Sequence, residues 1–132
     1  MNISKYITHP FRMEDEEKPK EEPASPESKI LAKKLEKQFF EKRAVYLWGV
    51  VEDKSARDVV SKLLLLDGDK PGEEIKLYIN SPGGVVTSGM VIYDTMRMLS
   101  SPVSTIFMGL AASMGSILLC ASKRKTFDIS TW

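Results

Sequence analysis

Two short stretches of the sequence hold residue types that acyl-transfer chemistry uses. The first is Ser81-Pro82-Gly83-Gly84, and the second is Ala111-Ala112-Ser113-Met114-Gly115. Each follows a short apolar run and precedes a segment with helical periodicity. Glycines at such a turn permit positive φ angles and let a bound group approach the backbone closely. A serine at a helix start lies beside free N–H groups and the positive end of the helix dipole, which stabilise an oxyanion.

Each stretch taken alone also has a purely structural interpretation. Gly83-Gly84 can be a simple turn, and Ser113 can be an N-cap residue without further role. The glycines are not a phosphate-binding loop, because no Gly-Lys-Ser/Thr follows at the required spacing, and they do not match the dinucleotide fingerprint. Ser81 precedes a proline and is interpreted as turn chemistry, whereas Ser116 lies one turn further into the helix. The residues by themselves leave both interpretations open.

The segments around these stretches predict an α/β protein. Strands are predicted over 44–48, 75–80 and 103–108, and a helical pattern follows each of them. Successive side chains of the second strand should point to opposite faces: Ile75, Leu77 and Ile79 to one, and Lys76, Tyr78 and Asn80 to the other. The alternation of elements favours a parallel sheet built from repeated strand–helix units with crossover helices.

A first helix is predicted before the first strand. Ser25 followed by Pro26 is a typical helix start, with a capping residue and then a proline at the first helical position. Leu31, Leu35 and Phe39 share one face of this helix. We expect this apolar stripe to pack within the chain, with an oligomer contact as the alternative.

Capping residues also predict the limits of the next helices. Ser55 is expected to cap the second helix and Gly68 to end it. The third helix is predicted to begin at Thr87 or Ser88 and to run to about Leu99, because a proline follows shortly after. Ser113 is expected at or just inside the start of a fourth helix.

The composition is that of a globular protein of about one domain, with 132 residues, 42% hydrophobic and 28% charged. A net charge of +1 gives no field that would attract nucleic acid or an acidic membrane. The single cysteine, Cys120, excludes an internal disulfide and fits a reducing compartment. There is no signal peptide or membrane-length apolar run, so we expect a cytoplasmic protein. We expect no metal site, because no Cys/His cluster is present.

The two ends of the sequence differ from its middle. Residues 1–25 contain an acidic run and several prolines, which predicts a mobile charged segment. Residues 26–121 are expected to form the α/β domain. Residues 122–132 are expected to be a divergent tail.

The two stretches, in this order and joined by a helix, closely resemble the proteolytic subunit of the Clp protease (ClpP). The resemblance rests on YINSPGGVVTSGMVIYDTM and VSTIFMGLAASMGSILL and extends from about Ser28 to Ala121. It implies a crotonase-like α/β fold and a serine endopeptidase that cleaves unfolded polypeptides. It also implies that Ser113 is the nucleophile and that the backbone N–H groups of Gly84 and Met114 form the oxyanion hole.

The resemblance further implies partners. Subunits of this family assemble as two stacked seven-membered rings, and an AAA+ ATPase unfolds substrates and feeds them in. ATP is therefore used by the partner, and no cofactor is expected for this chain. Tyr78 falls where the family has an aromatic residue that receives loops of the ATPase, and Leu64 is a candidate neighbour.

The sequence departs from the family pattern after Ala121. The family's His-Gln-Pro stretch, its later catalytic aspartate and its ring-joining helix have no counterpart, and the only histidine is His9. Asp128 cannot take the place of the aspartate, because no histidine stands between it and Ser113. We expect a truncated product that is weak or inactive by itself and that assembles poorly.

Two alternative functions remain open on the sequence alone. The chain could be a non-catalytic subunit that joins rings made with complete subunits. It could also be a crotonase-like acyl-CoA enzyme that uses the same pair of backbone donors, a class that needs no serine nucleophile.

Overall fold

A computed structural model describes residues 24–122 of the chain. The predicted mobile segment, His9, Asp128 and the tail from Lys123 onward lie outside this range. Within it, helices and strands alternate after a first helix, in the order α1 Pro26–Glu41, β1 Ala44–Trp48, α2 Asp53–Asp69, β2 Ile75–Ser81, α3 Val86–Met98, β3 Val103–Ala111 and α4 Met114–Cys120. The strands form a parallel sheet in the order β1-β2-β3. The predicted α/β fold of repeated strand–helix units is confirmed.

The core lies on one face of this sheet. Ile75, Leu77 and Ile79 are fully buried, as their alternation predicted, and they pack with buried side chains from the three helices that follow the strands. These include Leu63 of α2 and Leu118 of α4. Lys76 and the other residues of β2 that point to the opposite face are exposed or half-buried. The hydrophobic pattern therefore orients each strand and brings the carboxyl ends of β2 and β3 side by side.

The chain divides between Ala32 and Lys33, inside α1, into two units. In the first, the Ser25 hydroxyl accepts the N–H of Ser28 at 3.2 Å, so the predicted helix start is confirmed. Leu31 is 59% exposed there. In the second, Leu35 is 42% exposed, whereas the Phe39 ring packs on Tyr46 with centroids 4.6 Å apart. The expectation that the whole stripe is buried within the chain is wrong for these two leucines.

The limits of α2 differ from the prediction at both ends. The helix begins at Asp53, because the Ser55 hydroxyl points back and accepts the N–H of Glu52 at 3.0 Å. Gly68 lies inside the helix, which ends at Asp69. The end is set by the buried Arg43 guanidinium, which donates to the carbonyl oxygens of Leu66 at 2.9 Å and Lys70 at 3.1 Å. These carbonyls would otherwise lack partners at the helix terminus.

The limits of α3 and β3 also differ from the prediction. α3 begins at Val86, because Ser88 is buried and donates its hydroxyl to the Asp53 carboxylate at 2.5 Å rather than capping the helix. β3 continues to Ala111, past the predicted end at Met108. The extension contains a bulge, and the Asn80 side-chain oxygen accepts the N–H of Leu110 there at 3.2 Å. A bulge of this kind redirects the strand that carries it.

Candidate active site

The turn between β2 and α3 is held in a conformation that glycine alone adopts readily. Gly83 has a φ of +94° and Gly84 a φ of +155°. The Gly83 carbonyl accepts the N–H of Val51 at 2.9 Å, and the Val51 carbonyl accepts the N–H of Val85 at 2.7 Å. A Cβ on Gly84 would lie 2.2 Å from the Val51 oxygen. Both glycines are therefore required by the backbone itself.

The turn between β3 and α4 presents Ser113. This residue has a φ of +50° and a ψ of −122°, and among the described non-glycine residues only Arg43 shares a positive φ. Such a conformation is strained for a residue with a side chain, and strain of this kind concentrates at functional sites. Ser113 occupies the N-cap position of α4 and is exposed, but its hydroxyl makes no capping hydrogen bond. The interpretation of Ser113 as a capping residue alone is therefore not supported.

The structure brings the two turns into contact. A Cβ on Gly83 would lie 2.7 Å from the Ser113 Cβ and 3.0 Å from the Met114 nitrogen. The Ser81 carbonyl accepts the N–H of Ala112 at 3.0 Å, so the end of β2 is bonded to the segment that precedes the serine. The glycine turn and the serine turn thus form one site, as the order of the two stretches suggested.

Three backbone N–H groups at this site are free. Within the described part of the chain, the N–H groups of Gly84, Ser113 and Met114 have no hydrogen-bond acceptor. Gly84 is free because its neighbours on either side bond Val51, so that its own N–H points away from the Val51 segment. Met114 is free because the first residues of a helix have no intrahelical acceptor. Free, ordered N–H donors beside a serine can bind a developing negative charge.

The Met114 side chain anchors its own backbone. Met114 is 1% exposed and belongs to the core. A Cβ on Gly89 of α3 would lie 2.1 Å from the Met114 Cγ, so the side chain occupies the space that this glycine leaves open. The N–H of Met114 is therefore carried by a residue that close packing holds in place.

The described residues provide no base for the serine. No side chain between residues 24 and 122 hydrogen-bonds the Ser113 hydroxyl, and His9 lies outside that range. The Ser116 hydroxyl donates to the backbone carbonyl of Ser113 at 2.6 Å and so stabilises the first turn of α4. It does not bond the Ser113 hydroxyl. Those residues also contain no group of three or more His, Cys, Asp or Glu side chains placed to hold a metal ion.

The predicted docking residues lie away from this site. Tyr78 is half-buried on the sheet face opposite the core and stacks on Tyr46, with centroids 4.8 Å apart and ring planes at 11°. Burial, reinforced by the neighbouring Tyr78, raises the pKa of Tyr46. Leu64 is 46% exposed on α2. The buried side of that helix packs on the other face of the sheet, so a common surface with Tyr78 stays a prediction.

An apolar groove of about 380 Å³ lies beside the aromatic stack. It lies between the end of α1, the edge of β1 and α2, and among its lining residues are Phe39, Tyr46 and Leu65. None of the residues of the serine site lines it. The groove therefore belongs to the surface near the aromatic stack and not to the serine site.

Sequence reasoning found only part of what supports the two turns. The interpretation of Ser81 as turn chemistry is confirmed, because its hydroxyl accepts the N–H of Gly83, two residues on. Its complete burial and the bond of its carbonyl to the second turn were not predicted. The signal was present, because Ser81 continues the alternation of Ile75, Leu77 and Ile79 and so falls on the core face. Val51, whose backbone brackets Gly84, had no comparable signal, since its partner lies far along the chain.

In this α/β fold, two strand ends bring a strained serine beside free N–H donors. The sequence model of the Clp protease family matches residues 27–129, and the chain belongs to this family. The family is one of peptidases, so the chain is of the proteolytic-subunit type. No helix among residues 24–122 has the length and apolar character needed to cross a membrane.

Proposed function

We propose that this chain is a serine-type endopeptidase subunit that cleaves unfolded polypeptides through an acyl-enzyme on Ser113. The observation that carries the proposal is the strained Ser113, whose hydroxyl makes no capping hydrogen bond, next to the free N–H groups of Gly84 and Met114. A purely structural turn would gain nothing from a serine held at a positive φ with an unbonded hydroxyl. An enzyme gains an exposed nucleophile beside backbone N–H donors that can bind the oxyanion.

The residues suggest roles in each step of the reaction. The Ser113 oxygen attacks the peptide carbonyl, its proton passes to a base, and the resulting oxyanion accepts the N–H groups of Gly84 and Met114. Collapse of this intermediate expels the amine, which takes a proton, and water then hydrolyses the acyl-enzyme. One donor of such a pair is worth about 3–4 kcal/mol of transition-state stabilisation.

The base must come from outside the described residues. The proposal therefore includes weak or absent peptidase activity of the purified chain when no base is added. A positioned base contributes about 10²–10⁴-fold to such reactions. His9 is the only histidine of the chain, and its position in the charged segment before Pro10 makes it a poor candidate.

We further propose the partners that the family uses. Self-association into seven-membered rings and docking of an AAA+ ATPase, which uses ATP, would place the chain in cytoplasmic ATP-dependent proteolysis. The exposed Leu64 and the Tyr46–Tyr78 stack are the residues on which we place ATPase docking. Residues 24–122 provide no base for Ser113, and this favours one second candidate, a non-catalytic subunit that only joins a ring of complete subunits.

Imidazole as an added base gives the decisive experiment. Hydrolysis of a short fluorogenic peptide should rise with imidazole concentration in the wild-type chain and should vanish in Ser113→Ala. A fluorophosphonate probe should label the wild-type chain on the same serine. Imidazole-dependent hydrolysis that persists in Ser113→Ala would contradict the proposal. Co-purification with a complete subunit, without labelling of Ser113, would favour the non-catalytic candidate.

A further inference from the structure

The buried hydroxyl of Ser81 has a role that the reaction steps do not use. Ser81 lies on the core face of β2 and is 0% exposed, where a hydrophobic side chain would be expected. Its Oγ accepts the N–H of Gly83 at 3.0 Å. A buried hydroxyl is costly unless it is bonded, so this interaction accounts for a polar residue at a core position.

The backbone of the same residue contacts the other turn. The Ser81 carbonyl accepts the N–H of Ala112 at 3.0 Å, directly before the nucleophile. A Cβ on Gly115 would lie 3.0 Å from this carbonyl and 3.4 Å from the Ser81 Cβ, so α4 packs against Ser81 without an intervening side chain. One residue is therefore bonded to both turns of the site.

These two bonds occupy two of the N–H groups at the site. Five amides occur at the two turns near the serine: those of Gly83, Gly84, Ala112, Ser113 and Met114. Ser81 accepts the first and the third, and the remaining three have no acceptor in the described part of the chain. These three include the pair, Gly84 and Met114, to which the proposed mechanism assigns the oxyanion.

We propose that Ser81 is the positioning residue of the oxyanion hole. Its hydroxyl holds Gly83 so that the Gly84 N–H is presented to substrate, while its carbonyl holds the strand end that carries Ser113 and Met114. The inference rests on the proposed function and deepens it. Ser81 does not touch the reacting atoms, and its effect passes through the two turns.

The test compares two buried serines. Ser81→Ala removes one oxygen and leaves the carbonyl in place. Ser101→Ala is the matched control, because Ser101 is also 0% exposed and its Oγ also accepts a glycine N–H, that of Gly72 at 3.2 Å. Its segment precedes β3 and lies at the opposite end of that strand from Ser113, so its loss should affect stability alone.

In the imidazole-supported assay, Ser81→Ala should lower kcat by about tenfold or more with little change in KM, a fraction of the roughly 10²–10³-fold cost of losing a whole donor. An effect on kcat with KM unchanged marks an interaction made in the transition state. Ser101→Ala should keep the wild-type kcat at temperatures where both variants are folded. Equal kcat values for wild type and Ser81→Ala would overturn the proposal.

Amide hydrogen exchange separates this inference from the proposed function. The Gly83 N–H should be protected in the wild type and should exchange at least about tenfold faster in Ser81→Ala, while core amides keep their protection. If wild-type Ser113 proves unreactive but this change is seen, the proposed function fails and the positioning bond stands. If the exchange of Gly83 is the same in both proteins, Ser81 does not hold the turn and the inference is refuted.

Discussion

Replacing Gly83 by alanine is the most direct way to separate the two turns of the site. The new Cβ would lie 2.7 Å from the Ser113 Cβ, 2.9 Å from the Ala112 carbonyl oxygen and 3.0 Å from the Met114 nitrogen. Two of these atoms are backbone and the third is the first side-chain atom of Ser113, so no flexible group can move aside. The alanine must therefore push one turn away from the other.

The size of the effect follows from these distances. Carbon atoms rest about 3.5–4.0 Å apart, so the turns must separate by about 1 Å. A misplacement of about 1 Å can cost about 10²-fold in rate. The φ of +94° adds a backbone penalty of about 1–2 kcal/mol, and overpacking typically adds about 1–3 kcal/mol to the loss of stability. We expect Gly83→Ala to remain folded but to lose most of its Ser113 reactivity.

Gly72→Ala is the control that isolates the contact from the backbone strain. Gly72 has a φ of +86°, close to that of Gly83, but a Cβ there would meet nothing within 4 Å. Both variants should lose stability through strain, as measured by thermal unfolding. Only Gly83→Ala should show slow labelling by a fluorophosphonate and reduced imidazole-supported turnover. Equal labelling rates for the two variants would refute the reasoning.

Three further predictions concern the framework. Arg43→Met should lower the free energy of unfolding by about 2–4 kcal/mol in urea titrations, because several carbonyls lose a charged donor; a loss below about 1 kcal/mol would contradict this. The pKa of Asp67 is lowered chiefly by hydrogen bonding with the Ser101 side chain; backbone N–H donors add to this effect and burial opposes it. The ionised Asp67 carboxylate therefore contributes to folding stability above about pH 4, and this contribution is lost as the pH falls. The melting temperature of Asp67→Asn should accordingly decline less in acid than that of the wild type. Gly89→Ala should displace the Met114 side chain and destabilise the fold by about 1–3 kcal/mol in the same titrations, whereas unchanged stability would argue against tight packing there.

The part of the fold that could be predicted is the part determined by residues close together in the sequence. The alternation of Ile75, Leu77 and Ile79 predicted both the strand and its buried face, and the order of strands and helices predicted the parallel sheet. The glycines at 83–84 and the small residues around Ser113 marked the two turns. Local sequence also predicted the start of α1, because its cap and its proline lie next to each other.

The rest depends on contacts between residues far apart in the chain. α2 ends where the Arg43 side chain meets its last carbonyls, and the two partners are separated by more than six helical turns of sequence. β3 is longer than predicted because the Asn80 side chain satisfies the Leu110 N–H, 30 residues away. The conformation of Gly84 depends on the Val51 backbone in the same way. No local pattern reports such pairings.

The location of the site follows from the topology of the sheet. In a parallel sheet, the carboxyl ends of neighbouring strands meet at one edge, and ligands bind in the crevice outside them. Here the segment after β1 contributes Val51, β2 ends in Ser81, and the turn after β3 carries Ser113. Because the register aligns Ser81 with Ala111 across the bulge, a slip of either strand would separate the serine from the glycine turn. The hydrophobic alternation that keeps β2 in register therefore also keeps Ser113 beside the free N–H groups of the two turns, so core substitutions that shift this strand should reduce Ser113 reactivity before they unfold the protein.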